Sequence, residues 1–260
     1  MNMNARLHNG FRPLLEKISA ILLALILWQL AAVYIDSSIV LCSPLSVLHR
    51  LFTMVREAGF ASSVWFTLRH VGAGFFLGLI IGGLLAGAAA LSRVVRTLLW
   101  PWMAAVKAVP VAAIVVICLI WLSGRNLSVF ITFLVVCPVV YQNLLTGLTA
   151  RDERTVQMDE MALIFRMTRL KKLRYILIPR IFPYLNAACR VAAPMAFKAG
   201  VAAEIIGTPA GSIGKQMYLA KTWLATDDLL AWAVVIVLLS AVCEKALLAV
   251  LALVGRLNHI

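Results

Sequence analysis

The sequence predicts an all-α integral membrane protein of about six transmembrane helices, and three observations carry that prediction. Mean hydropathy is +0.96 over 260 residues, with 63% of side chains hydrophobic and 13% charged. A soluble domain has no core large enough to absorb that much apolar surface. The charges gather into short stretches, above all residues 151–180. The apolar runs between them approach the roughly 20 residues a helix needs to cross about 30 Å of hydrocarbon. Lipid offers backbone groups no water partner, and the alternating segments of a barrel are missing, so the spans must be helices.

The first span, residues 18–35, has no charge and is approached by Arg6, Arg12 and Lys17. Its apolar run exceeds the roughly 7–15 residues of a signal-peptide core and no small-residue cleavage site follows, so it reads as a retained helix. The second, 71–91, carries Gly74, Gly78 and Gly82 at intervals of four, with Gly83 and Gly87 repeating the interval one step over. Small residues so spaced let helix backbones approach closely, which predicts a central packing helix.

The third span, 98–123, contains Lys107 and Pro110. An intramembrane lysine is costly unless it meets water, a partner or the interface, and the proline is expected to kink the helix one turn later. The pair reads either as a path-lining charge beside a flexible point or as a snorkelling lysine at a turn. The fourth span, 127–150, is free of charge, whereas the fifth, 181–206, holds Arg190, Lys198 and Glu204. Lys198 and Glu204, six apart, do not share a helical face. Glu204 falls near the external end, before "IIGTPAGSIGK", whose glycines and Pro209 imply a chain that folds back. Lys107, Pro110, Lys198 and Glu204 are therefore the candidates for the translocation path or its gate, with an interfacial anchor as the alternative for Glu204. The sixth span, 229–255, includes Glu244 and Lys245, read as packing between subunits or mutual neutralisation.

Lys and Arg in the loops favour the cytoplasmic side. With the N-terminus inside, inner segments hold fourteen of them and outer loops five, which places both termini in the cytoplasm. The net charge of +13 is then topology and attraction to anionic lipid; no basic stretch stands apart from the spans as a nucleic-acid site. Cys42, Cys118, Cys137, Cys189 and Cys243 form no CxxC pair and read as packing residues, so no metal is expected. His8, His49, His70 and His259 are scattered, and no HExxH, GxSxG or GxxxxGK[ST] occurs. A multi-pass lipid-modifying enzyme is thereby disfavoured, and so is a secondary transporter, which needs paired interrupted helices and midplane ion sites.

Residues 151–180 form one loop with eight basic and four acidic side chains. Acids lead (Asp152, Glu153, Asp159, Glu160) and bases follow (Arg166, Arg169, Lys171, Lys172, Arg174), the polarity a helix dipole favours. Asp152 and Asp159 read as helix starters, and Met161, Ile164, Phe165 and Thr168 fall at helical spacing, giving a short amphipathic segment. Pro179 and Pro183 are expected to break the pattern before the next span.

This loop resembles the "EAA" loop of permease subunits in binding-protein-dependent ABC importers. In that pattern Glu-Ala-Ala is followed after three residues by Gly and after nine more by Ile-x-Leu-Pro. Glu160, Met161 and Ala162 stand at the first three places, Arg166 at the Gly, and Ile176, Leu177, Ile178 and Pro179 at the close. Met161 and Arg166 depart from the pattern; glycine permits tight turns that arginine enters only with strain, so a different local turn is expected. "LWQLAAVYI", "CSPLSVLHRL", "FTLRHVGAGFFLGLIIGGLLAG", "LWPWMAAVKAVPVAA" and "GVAAEIIG" extend the resemblance to the nitrate/sulfonate/taurine-type branch, which also includes importers of thiamine precursors.

The resemblance implies a single permease domain over residues 1–260, in the bacterial plasma membrane, pairing with a second copy in a homodimer. It implies two cytoplasmic ATP-binding subunits that hold ATP and Mg, an external solute-binding protein, and no cofactor on this chain. It implies an ATPase-coupling role for Asp159, Glu160, Met161, Ala162, Ile164, Phe165, Arg166, Ile176, Ile178 and Pro179. Its solute would be a sulfonate-, taurine- or nitrate-like anion, or a neutral thiamine-precursor-like heterocycle.

Overall fold

A computed structural model describes residues 3–37, 39–150 and 153–257. Asp152 and His259 lie outside the described residues, as do the side chains of Arg6, His8, Arg12, Lys17, Glu153, Asp159 and Arg169. The order is α1 (Met3–Ile35), α2 (Pro44–Met54), α3 (Phe60–Leu91), α4 (Arg93–Ala108), α5 (Val111–Cys118), α6 (Gly124–Thr149), α7 (Glu153–Ile164), α8 (Arg169–Lys172), a π turn (Leu173–Leu177), α9 (Ile178–Gly207), α10 (Ile213–Thr222) and α11 (Thr226–Leu257). Every described element is helical.

The centre of the bundle is α3, α6 and α9. Along α3, a Cβ at Gly74 would lie 2.4 Å from the Val129 carbonyl oxygen, one at Gly78 2.7 Å from Val136 Cγ1, and one at Gly82 2.7 Å from the Cys137 carbonyl oxygen. These three glycines thus permit backbone contact with α6, where lipid removes any hydrophobic drive for association. Gly83 meets only Leu144 at an ordinary 3.5 Å, and Gly87 faces open space, so the second glycine row lies off this seam. On α9, Ala188, Ala192, Ala196, Ala199 and Ala203 are buried at helical spacing, and a Cβ at Gly124 would come 2.5 Å from the Gly207 carbonyl. Val71, Phe75, Val136, Val140, Tyr141 and Phe197 fill the space between.

Among the described residues four helices, α1, α3, α6 and α11, are long and apolar enough to cross a membrane, and α4 with α5 makes a fifth if that pair is one span. The expected kink at Pro110 is a break: α4 ends at Ala108, Pro110 caps α5, and the two helices meet at 101°. α9 is 30 residues long but carries four charged side chains, of which Arg190 and Lys198 lie on its exposed face and Glu204 is buried. It runs through Pro183, because Pro179 already occupies its first turn and one missing donor does not outweigh its packing. α3 begins eleven residues before the apolar run that announces it, drawing Arg69 and His70 into the helix.

α2 packs against α11. Ser43 Oγ caps α2 by accepting from the Ser46 amide at 3.1 Å, with Pro44 in the first turn. Arg50 pairs with Glu57 and with Asp228 of α11; Glu57 first and Asp228 second hold its guanidinium charged well above the ordinary range. α1 stands apart, meeting the rest chiefly at α2 and through Trp28 Nε1, which donates to the Cys42 carbonyl at 3.1 Å. All five cysteines are free, and Cys42, Cys118, Cys137 and Cys189 are buried.

Candidate functional site

The 151–180 loop folds as a helix, a turn and a second helix. α7 runs through Asp159, which is therefore interior and not a helix start, and stops at Ile164. The Met167 amide returns to the Ala162 carbonyl at 3.0 Å and the Arg166 amide to the Leu163 carbonyl at 3.1 Å. That is a Schellman end, and Arg166 fills its left-handed position at φ 46°. The arginine thus adopts the backbone conformation expected of the family's glycine, contrary to the different turn expected from the sequence. The same turn ends the amphipathic helix before Thr168, whose carbonyl accepts from Lys172 at 2.9 Å as α8 begins.

The turn lifts an apolar crest into the open. Met161, Leu163, Ile164, Phe165 and Leu170 are each more than half exposed, Phe165 by 74%, while Ala162 and Ile176 are buried. Glu160 and Ile178 are exposed and Pro179 is half-buried. From Arg169 the chain is helical through the π turn into α9, so the crest is joined to a central helix of the bundle without a loop.

At the end of α9 away from the crest, Glu204 is fully buried. Its Oε2 accepts from Thr67 Oγ1 of α3 at 2.7 Å and from the Gly214 amide of α10 at 3.2 Å. Thr67 Oγ1 in turn accepts from the Ile213 amide at 3.1 Å. The fold-back after α9 is thus a five-residue turn, with Thr208 left-handed at φ 42°, that plugs the first turn of α10 into the bundle. A Cβ at Gly214 would sit 2.3 Å from Glu204 Cβ, so only glycine fits there. Ser128 and Thr132 of α6 bring two more buried hydroxyls to this cluster beside Gly200.

Lys198 lies on the exposed face of α9 with Arg190, Pro194 and Met195. Lys107 is exposed in the last turn of α4, just before the 101° break at Pro110. Lys198 and Glu204 thus share a helix, one exposed and the other sealed. Glu244 is half-buried and Lys245 exposed, and they form no ion pair. Four features escaped the sequence reading: Arg69, which lines a cavity of about 620 Å³ with Trp65, His70 and Asn126; the Thr67, Ser128 and Thr132 hydroxyls; exposed Leu163 and Leu170; and Arg180. Only Arg69 left a signal, a charge within reach of an apolar run. Among the described residues no three of His, Cys, Asp and Glu converge as a metal site.

Residues 74–257 match the family described as binding-protein-dependent transport system inner membrane component. The taurine transport system permease protein TauC of Escherichia coli is 25% identical over 226 residues, spanning 85% of this chain and 81% of that protein. A putative ABC transporter permease protein of Methanocaldococcus jannaschii is 24% identical over 244 residues, spanning 91% and 89%. Among solved structures, a chain from the crystal structure of an amino acid ABC transporter with histidines shares the fold at a TM-score of 0.58. That likeness covers 76% of this chain and 93% of the other, at 17% identity.

Proposed function

The chain belongs to the binding-protein-dependent transport system inner membrane component family and is a permease subunit of an ABC importer, and from that premise we propose how it works. Two copies form the path for a small solute handed over by an external binding protein. Two separate cytoplasmic subunits bind ATP and Mg and hydrolyse the ATP. Both termini of this multi-pass inner-membrane protein face the cytoplasm, consistent with fourteen loop Lys and Arg inside.

The observation that carries this reading is the exposed crest Met161, Leu163, Ile164, Phe165 and Leu170, on a segment too charged to enter lipid. An apolar patch held in water marks an interaction surface. The crest fills a groove of the ATPase, with Asp159, Glu160 and Arg166 at its polar rim. ATP-driven approach of the ATPase subunits displaces the crest, and the continuous helical run from Arg169 carries that displacement into α9 through Ile176, Ile178 and Pro179. The exposed basic face of α9, with Lys198 and Arg190, and the bent corner at Lys107 and Pro110 line the route. That charge favours an anion such as a sulfonate over a neutral heterocycle, in line with the taurine system of the Escherichia coli relative. Glu204 acts as a fixed point for the outer gate and does not touch solute.

The test is purification in mild detergent from the native host, comparing the wild type with Glu160→Lys combined with Phe165→Ala. An ATPase recovered with the wild type and lost with the double variant is the expected result. If no ATPase accompanies the wild type, the crest is a membrane-surface helix and ion-coupled transport becomes the better reading.

A further inference from the structure

The two roots of the cytoplasmic loop are stitched together where they leave the bundle. α6 ends at Thr149, and the last carbonyls of a helix have no donors within the helix itself. The Arg180 guanidinium, from the first turn of α9, reaches that end. Its Nε donates to the Gly147 carbonyl at 3.1 Å and its Nη2 to the Ala150 carbonyl. A cation at a helix C-terminus also meets the negative end of the dipole. One turn deeper the stitch is backed by packing: a Cβ at Gly147 would come 2.6 Å from Cδ2 of the Tyr184 ring, so the ring rests directly on the α6 backbone.

The π turn Leu173–Leu177 lies between this stitch and the exposed crest. Such turns are rare, interrupt the regular hydrogen-bond ladder and recur at functional positions. The order along the chain is therefore crest, irregular turn, stitch, bundle. The loop joins α6 at its front and α9 at its back, and the two helices already pack along their length. The stitch adds a bond between them at the roots of the loop, where a push arrives first, and the Gly74, Gly78 and Gly82 seam extends the joined body to α3.

We propose that Arg180 is a positioning residue for energy coupling: it makes the inner ends of α6 and α9 one body, which the loop drives as a unit through the π turn. This rests on the importer reading above. The task of the Arg180 side chain is to keep two helices in step.

Amide exchange on the full-length protein, copurified with its ATPase, tests the proposal. Residues 144–150 and 178–185 are followed without nucleotide and after trapping with ATP, Mg and vanadate. In the wild type both segments should change protection together. In Arg180→Gln, residues 144–150 should exchange roughly tenfold faster and no longer respond to trapping, since bonds to a charged donor of ordinary strength are lost. Arg180→Lys, which keeps the charge and can reach one carbonyl, should restore part of the joint response. A merely structural residue would lower protection without separating the two responses. Independent responses in the wild type, or a joint response that survives Arg180→Gln, overturn the proposal. If no ATPase copurifies, the importer reading fails, whereas unchanged exchange of 144–150 in Arg180→Gln protein alone sinks the stitch itself.

Discussion

Arg166 holds a left-handed backbone at φ 46° although nothing in its side chain favours that conformation. For a non-glycine residue the strain is on the order of 1 kcal/mol. Arg166→Gly should relieve it, slow exchange at the Met167 amide and preserve recovery of the ATPase. Loss of the ATPase in that variant would mean that the guanidinium itself makes a contact on the partner. Glu204 presents the opposite case, a side chain whose surroundings demand it. Glu204→Ala strands the buried Thr67 hydroxyl and Gly214 amide, a cost of about 1–3 kcal/mol. Thermal unfolding in detergent should show a clear fall for Ala and a smaller one for Glu204→Gln, which can still accept at one oxygen. An equal fall in both would trace the effect to charge and not to the hydrogen bonds.

Helix packing separates glycines that look alike in the sequence. Gly78 sits 2.7 Å, measured from a would-be Cβ, against Val136, whereas Gly87 has nothing within 4 Å. Gly78→Leu should therefore abolish monodisperse protein in size-exclusion chromatography. Gly87→Ala should be tolerated, or stabilise by up to about 1 kcal/mol from helix propensity alone. The α3–α6 seam was legible because a four-residue glycine spacing is a local pattern with one common physical cause. The start of α3 was not legible: Arg69 and His70 interrupt the apolar run, and burial of Ser63 and Thr67 against neighbouring elements is what holds that stretch helical. The 101° corner was half legible, since Pro110 marks a break but not its angle. Arg180 was invisible because its partners are carbonyls 30 and 33 residues away. The loop as a whole was readable from spacing, but its turn was not, because arginine took a conformation that favours glycine.

At the scale of the whole molecule, the crest at 161–170 and helix α10 belong to opposite ends of the bundle, joined by the length of α9. The proposed topology puts the crest in the cytoplasm and α10 outside. In a background lacking the five native cysteines, an impermeant thiol reagent applied to intact cells should label Trp223→Cys and spare Leu163→Cys, both exposed positions. The reverse labelling would invert the topology and remove the coupling reading with it. The stand-off of α1 bears on how such a chain is made. Its apolar stretch 18–35 is almost wholly uncovered and is attached through Trp28, while the glycine seams lie between residues 74 and 214. Entry of α1 into the bilayer is then separable from the packing of α3, α6 and α9. A foreign anchor of the same length and direction in its place should leave that packing, read as the melting temperature in detergent, unchanged.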